Sequence, residues 1–288
     1  MEAIKSRIRQ FRPNLTESSL KTYGCLLKCI HEDTFPNEPI RLENFYKTRE
    51  ILEVLQNRKN KKTICASLFV LTQVPEYKNM MIEEIKKIEV FEIKQEKTDK
   101  QIETMISFDD VKTKLAELKI QADDIFKTNL FTNRNLQILV DYILLVLTSG
   151  IYLEPRRSLD WSCMRFRNYN NQENFYDGEY FIFNKYKTKK LYNQQKIEVP
   201  LNLREILDNY LEINPTEYVL FNQNQKILNP SNITMRLNSI FGNNISTSIL
   251  RHIYITEKFK NQMPLAELRK TANNLGHSIN QMFLYVKN

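Results

Sequence analysis

The chain has only five glycines in 288 residues, one tryptophan and three histidines. So few glycines argue against a glycine-rich phosphate loop of the nucleotide-binding kind, which needs several within a short span. The four cysteines, Cys25, Cys29, Cys65 and Cys163, include no CxxC pair. This scatter is read as reduced thiols in an intracellular protein. Cys25 and Cys29, four apart on an apolar helical stretch, are expected as buried small hydrophobes, and a metal site formed with His31 is discarded. The apolar stretch "LQILVDYILLVLTSGIYL" is interrupted by Asp141 and ends at Ser149-Gly150. It falls short of the roughly 18 uninterrupted apolar residues of a membrane span and is expected as a buried helix. The chain does not open on a charged segment followed by an apolar one, as a secretory leader would. Internal repeats and low-complexity tracts are also lacking.

Basic residues are in excess, 42 against 34 acidic, for a formal charge of +8. The excess is shared: 19 against 15 in residues 1–100 and 23 against 19 in the rest. A positive surface on both halves suits a polyanion held between them, and it is also an ordinary route to solubility. The length suits two compact domains. In the N-terminal part, "TESSLKTYGCLLKCI" opens on a Thr16 cap and sets Leu20, Tyr23, Leu27 and Ile30 on one helical face. A second helix, "KKTICASLFVLTQV", follows the basic cluster "NRKNKK". Lys59, Lys61 and Lys62 of that cluster are candidate phosphate contacts, although the cluster taken alone reads more readily as solvated loop. Residues 88–104 lose helical periodicity and become highly charged. This places a helical domain over 1–90, a linker over 91–104 and a second domain over 105–288.

The second domain opens at "SFDDVKTKLAEL", with Ser107 and Asp110 in capping-box positions. The apolar helix around 133–149 follows. Three runs, "CMRFRNY", "EYFIFNKYKT" and "QQKIEVPL", are aromatic or β-branched and separated by turn-like segments, which predicts a three-stranded antiparallel sheet. Helices return at "LNLREILDNYLEI", at "NPSNITMRLNSIF" with Asn229 as cap and Pro230 in the first turn, at "STSILRHIYITEKF" and at "PLAELRKTANNLG". The fold class is therefore mainly α with a small three-stranded antiparallel sheet.

Four separated pieces share a chemical theme: "PRRSLD", "NKYKTKK", "SILRH" and "LGHSINQMFLY". Each has a bland reading alone: an arginine pair at a helix start is usually solvated, a lysine-rich hairpin tip keeps a strand edge soluble, and Leu-Gly-His often just stops a helix. Together, in this order, they resemble the catalytic domain of the tyrosine recombinase (phage-integrase) family over about residues 105–288. The matching positions are Arg157 with Asp160, Lys187-Thr188, Leu250-Arg251-His252, and Leu275-Gly276-His277 with Tyr285. The proline-arginine-arginine box and the long hairpin look most like integrases of virophages and large DNA viruses. The N-terminal helices resemble the family's core-binding domain, on a weaker signal.

The resemblance implies a DNA strand-breaking and rejoining enzyme, with double-stranded DNA as partner and four protomers holding two duplexes. It implies no metal and no cofactor, since arginines and lysine supply the electrostatics. Tyr285 would attack the scissile phosphate, Arg157 and Arg251 would grip its non-bridging oxygens, and His277 would add a hydrogen bond. Lys187 would protonate the 5′ oxygen. Asp160 would orient Arg157. Arg157 is favoured over Arg156 for the first arginine role because it alone puts an acid at the family spacing. Arg156 then joins Lys185 and Lys189 as a DNA contact. Two positions depart from the pattern. Ser248 stands where the family usually has histidine, and His277 precedes Tyr285 by eight residues where nine is common. Two other readings stay open: a catalytically reduced DNA-binding protein of the same fold, and a type IB-like topoisomerase. Only three residues follow Tyr285, too few for a helix that docks on a neighbour, so protomers would assemble through another surface or the sequence lacks a native tail. A tyrosine so near the end is expected to have a poorly placed hydroxyl without DNA.

Overall fold

The computed structural model describes residues 1–93, 98–259 and 265–286. The chain divides into two compact units, Met1–Lys94 and Gln95–Asn288.

The first unit is helical: α1 (Glu2–Phe11), α2 (Glu17–Thr34), a short 3-10 turn (Leu42–Tyr46), α3 (Thr48–Leu55), α4 (Lys61–Thr72) and α5 (Pro75–Ile93). Thr16 caps α2 by accepting the Ser19 amide at 3.2 Å, which satisfies one of the four unpaired N–H groups of a helix start. Around α4, which packs on α1, α2 and α5, the core gathers Leu27, Ile51, Cys65, Leu68 and Leu71. Cys65 is buried, whereas Cys25 and Cys29 are exposed. The expectation that this pair is buried is corrected: α2 buries Leu20, Gly24, Leu27, Ile30 and His31, and the two thiols fall on the opposite face. The stretch expected to lose helical order is also revised. The α5 helix runs on to Ile93 and α6 spans Asp99–Thr104, while 94–97 lie outside the described residues. Glu–Lys pairs such as Glu84–Lys87, 2.7 Å apart, support a charged helix that has little apolar periodicity to show.

The second unit continues with α7 (Phe108–Thr128), α8 (Asn133–Thr148), α9 (Ser158–Ser162), β1 (Phe175–Tyr176), β2 (Tyr180–Phe183), α10 (Lys189–Tyr192) and β3 (Gln195–Glu198). It ends with α11 (Leu201–Ile213), α12 (Pro230–Phe241), α13 (Thr247–Phe259), α14 (Leu265–Leu275) and α15 (Ile279–Phe283). The Ser107–Asp110 capping box forms reciprocally, at 3.0 and 2.8 Å. The α8 helix lies in the core, and its interrupting Asp141 accepts from Arg236 of α12 at 2.6 Å. The charge that breaks the apolar stretch is thus paired rather than stranded. Among the described residues no helix is long and apolar enough to cross a membrane.

The sheet is antiparallel in the order β1-β2-β3, pairing Phe175 with Ile182 and Phe181 with Ile197. Its first strand is not the expected "CMRFRNY" run. That run makes only isolated bridges at Arg165, to Phe175 and to Tyr218. The ladder forms instead where Phe175 and Tyr176 bury their rings, and Arg165 turns to Glu173 and Glu217. Trp161 meets Phe181 and Phe183 edge-on, with centroids 5.0 and 5.4 Å away, which seats α9 against the sheet.

Candidate active site

The site is organised around the end of α14. Gly276 has φ +68°, a conformation glycine takes without steric cost. Its N–H bonds to the Asn273 carbonyl and the His277 N–H to the Ala272 carbonyl, both at 2.9 Å. These two bonds make a Schellman turn, so Leu-Gly-His is indeed a helix stop. The stop also places His277. Side chains distant in sequence donate to the four consecutive carbonyls at this end: Gln195 Nε2 to Asn273 at 2.8 Å, Arg156 Nη1 to Asn274 at 2.6 Å, Arg251 Nη2 to Leu275 at 3.0 Å and Thr188 Oγ1 to Gly276 at 3.1 Å. Helix carbonyl ends bear partial negative charge, and two guanidiniums there complement it.

One cleft beside this turn is lined by Arg157, Lys187, Ser248, His277 and Tyr285. Five of the seven residues expected to be catalytic therefore share it. Arg251 lies just behind, fully buried, with its guanidinium carbon 5.2 Å from the Tyr285 ring centre. The Tyr285 ring meets His277 edge-on at 4.9 Å and lies over His252 at 4.5 Å, and His252 Nδ1 is 2.8 Å from the Tyr285 carbonyl. Tyr285 also packs on the small core of Tyr254, Leu268, Leu275 and Met282. The Tyr285 ring is thus half-buried among these groups.

Asp160 is the main correction. It pairs with Arg156, not Arg157: Arg156 Nε donates to Asp160 Oδ2 at 2.8 Å, and both side chains are fully buried. Arg156, expected as a DNA contact, is fully buried with its guanidinium carbon 4.0 Å from the Phe183 ring centre. Arg156 lies outside α9 and Arg157 is its N-cap in extended backbone, so helical spacing does not decide which of the two guanidiniums meets the Asp160 carboxylate. Arg157 keeps its place in the cleft, freed from the ion pair. Lys59, Lys62, Lys185 and Lys189 are exposed and Lys61 is half-buried.

Several polar atoms here are buried without a protein partner among the described residues: Arg156 Nη2, Arg157 Nη1, Arg251 Nε and Nη1, and both ring nitrogens of His277. A Cβ placed on Gly276 would lie 3.7 Å from Arg156 Nη2 and 3.8 Å from Arg157 Nη1, so the missing side chain leaves these donors a common space. Burial, then Arg251, Arg157, Arg156 and Lys187, push the His277 imidazole down to about 2, so it is neutral at physiological pH. Burial lowers Arg251 to about 10, still cationic at pH 7. Burial raises the Asp160 carboxyl, against the pull of Arg156, Arg157 and Arg251. Asn174, not singled out in the sequence, donates to the carbonyls of Asp160 and Lys185 and accepts from the Asn184 and Lys185 amides, at 2.7 to 2.9 Å, fastening the hairpin's base to α9. A lone Asn beside a turn carries no local signal of such a role.

No family model and no curated protein matches the chain. Solved structures do match. A lambda integrase dimer bound to a COC′ core site aligns over 99% of this chain and 94% of that one, at 14% identity and a TM-score of 0.51. Lambda integrase bound to DNA aligns over 98% and 92%, at 12% identity and 0.51. The chain has the fold of these integrases, mainly helical with a small three-stranded antiparallel sheet.

Proposed function

We propose that this chain is a tyrosine recombinase acting as a site-specific integrase, which cleaves and rejoins DNA strands through a 3′-phosphotyrosine. One observation carries the reading: buried guanidinium and imidazole nitrogens without protein partners surround the cleft that also holds Tyr285 and Lys187. Each buried unpaired donor costs roughly 1–3 kcal/mol, and more when charged. A phosphodiester oxyanion entering the cleft relieves that cost and is held by preorganised donors.

The chemistry follows from these positions. Arg157 and Arg251 neutralise the charge growing on the phosphoryl oxygens. The Tyr285 hydroxyl releases its proton to solvent in the cleft, its oxygen bonds to phosphorus as the bond to the 5′ oxygen breaks, and the Lys187 ammonium gives that 5′ oxygen a proton. The 3′-phosphotyrosine conserves the phosphodiester bond energy, and a 5′ hydroxyl from another strand reverses the step. His277, neutral, donates to the phosphate through one ring N–H. Ser248 supplies a hydroxyl donor in place of a base. Lys59, Lys61 and Lys62 of the first unit, taken as a core-binding domain over residues 1–90, and Lys185 and Lys189 of the hairpin add phosphate contacts. The assembly is a tetramer on two duplexes, in a reducing intracellular compartment. The source is a virus or mobile element, in keeping with the proline-arginine-arginine box and the long hairpin.

The test uses a pool of random-sequence nicked duplexes, whose cleaved end diffuses away and traps covalent protein–DNA adducts. Sequence-selected adducts formed by the parent and abolished by Tyr285→Phe are expected. Adducts that persist in Tyr285→Phe overturn the nucleophile. Binding without adducts favours the catalytically reduced protein, and sequence-independent relaxation of plasmid by single protomers favours the topoisomerase.

A further inference from the structure

Lys187 lies on an exposed connection between β2 and α10, so its backbone must be held if the ammonium is to find one oxygen. Four rotatable bonds separate that nitrogen from the backbone. The flanking residues are tied down. Tyr186 is buried, and its hydroxyl donates to the Asn193 carbonyl at 2.7 Å. Thr188 occupies the N-cap position of α10, where a threonine hydroxyl ordinarily accepts a first-turn amide of its own helix. It makes no such bond. The hydroxyl instead donates across 88 residues to the Gly276 carbonyl, the residue before His277. Beyond α10, at the start of β3, Gln195 Nε2 donates to the Asn273 carbonyl at 2.8 Å, one turn earlier on α14.

We propose that Thr188, with Gln195, is a positioning residue: a latch that registers the Lys187 proton donor to the turn holding His277 and, through it, to the scissile phosphate. The inference rests on the recombinase reading. The hydroxyl leaves α10 without a side-chain cap and gives its donor hydrogen to a tertiary contact, which joins the proton-donating arm to the phosphate-holding turn. Without it Lys187 is held by the buried Tyr186 immediately before it and, on the other side, no nearer than Gln195 at the start of β3. The cleft would survive, but the ammonium would sample a wider volume and protonate the departing oxygen less often.

The test compares Thr188→Val, Thr188→Ser and Lys187→Ala with the parent, using a nicked duplex recovered from the adduct pool. It is prepared with an ordinary 5′-bridging oxygen or with sulfur in its place, because a thiolate leaves without a proton. For Thr188→Val, cleavage of the oxygen substrate should fall roughly 10- to 100-fold, as expected for a misplaced general acid. On the sulfur substrate it should stay within about threefold of the parent, the pattern also expected of Lys187→Ala. Thr188→Ser, which keeps the hydroxyl, should cleave both nearly as the parent does, and Thr188→Val/Lys187→Ala should be no slower than Lys187→Ala alone. Trp161 fluorescence on urea unfolding confirms that the variants fold. Thr188→Val that cleaves the oxygen substrate at the parent rate, or is slowed equally on both linkages, overturns the latch while leaving the recombinase reading intact. A folded parent that forms no adduct overturns both.

Discussion

Replacing Arg156 by Met should unfold the second unit far more readily than replacing Arg157. Arg156 and Asp160 are both fully buried and joined at 2.8 Å, and the same guanidinium caps the Asn274 carbonyl. Removing one member of a buried ion pair leaves the other charge uncompensated, at a cost of about 3–5 kcal/mol. Arg157, half-buried and outside that pair, should lose no more than about 1 kcal/mol on the same change. Trp161 makes the assay specific. It is the single tryptophan of the chain, fully buried next to Asp160, so its fluorescence during urea unfolding reports on this unit. A double-mutant cycle of Arg156→Met with Asp160→Asn should give a coupling of about 2 kcal/mol or more, and the cycle with Arg157→Met under about 0.5 kcal/mol. Adduct formation should show the reverse order, with Arg157→Met folding well and failing to trap DNA. If Arg157→Met is the more destabilising, or couples more strongly to Asp160, the assignment is wrong and the pairing suggested by spacing is restored.

Acid should weaken this unit through His277. Unfolded, the imidazole takes a proton below about 6.5, whereas in the fold it stays neutral down to about 2, so the unfolded state binds more protons in that window and stability falls with pH. From pH 7 to pH 5 the loss should be about 2 kcal/mol larger for the parent than for His277→Gln, and equal losses would refute the depressed imidazole. Gly276→Ala puts a Cβ at φ +68°, 3.4 Å from Thr188 Oγ1. It should cost about 1–2 kcal/mol and reduce adduct formation more than tenfold, by straining the turn and filling the space shared by the arginines. Unchanged adduct formation would show that this space is not where the phosphate sits. A thiol-labelling reagent should modify Cys25, Cys29 and Cys163 quickly in the native chain. Cys65 should react only after unfolding, since burial both shields it and pushes its thiol up to about 11.

The expectations that held rest on short stretches that settle their own conformation. Thr16, Ser107 with Asp110, and Asn229 before Pro230 begin helices because the capping oxygen and the amide it accepts lie within one turn. The Leu201–Ile213 helix follows its apolar period. The misses concern a choice of neighbour. The two aromatics that pair with β2 lie outside the run expected as the first strand, and Cys25 and Cys29 point away from the core on a face shared with Lys21, Lys28 and Glu32, while Leu20, Leu27 and Ile30 take the buried one.

The sequence by itself determined the helices with clear caps or apolar period, the existence of a small sheet, and the residue types of the proposed phosphate-handling site. Those are properties of local period, capping chemistry and side-chain charge, which do not depend on distant partners. Only the tertiary structure decided which arginine is buried against Asp160, which is left for the cleft, and which side chains close the four carbonyls at the end of α14. Arg156 and Arg157 are adjacent and chemically identical. Their fates part because successive residues point in different directions and only one direction meets Asp160, Phe183 and the Asn274 carbonyl at once.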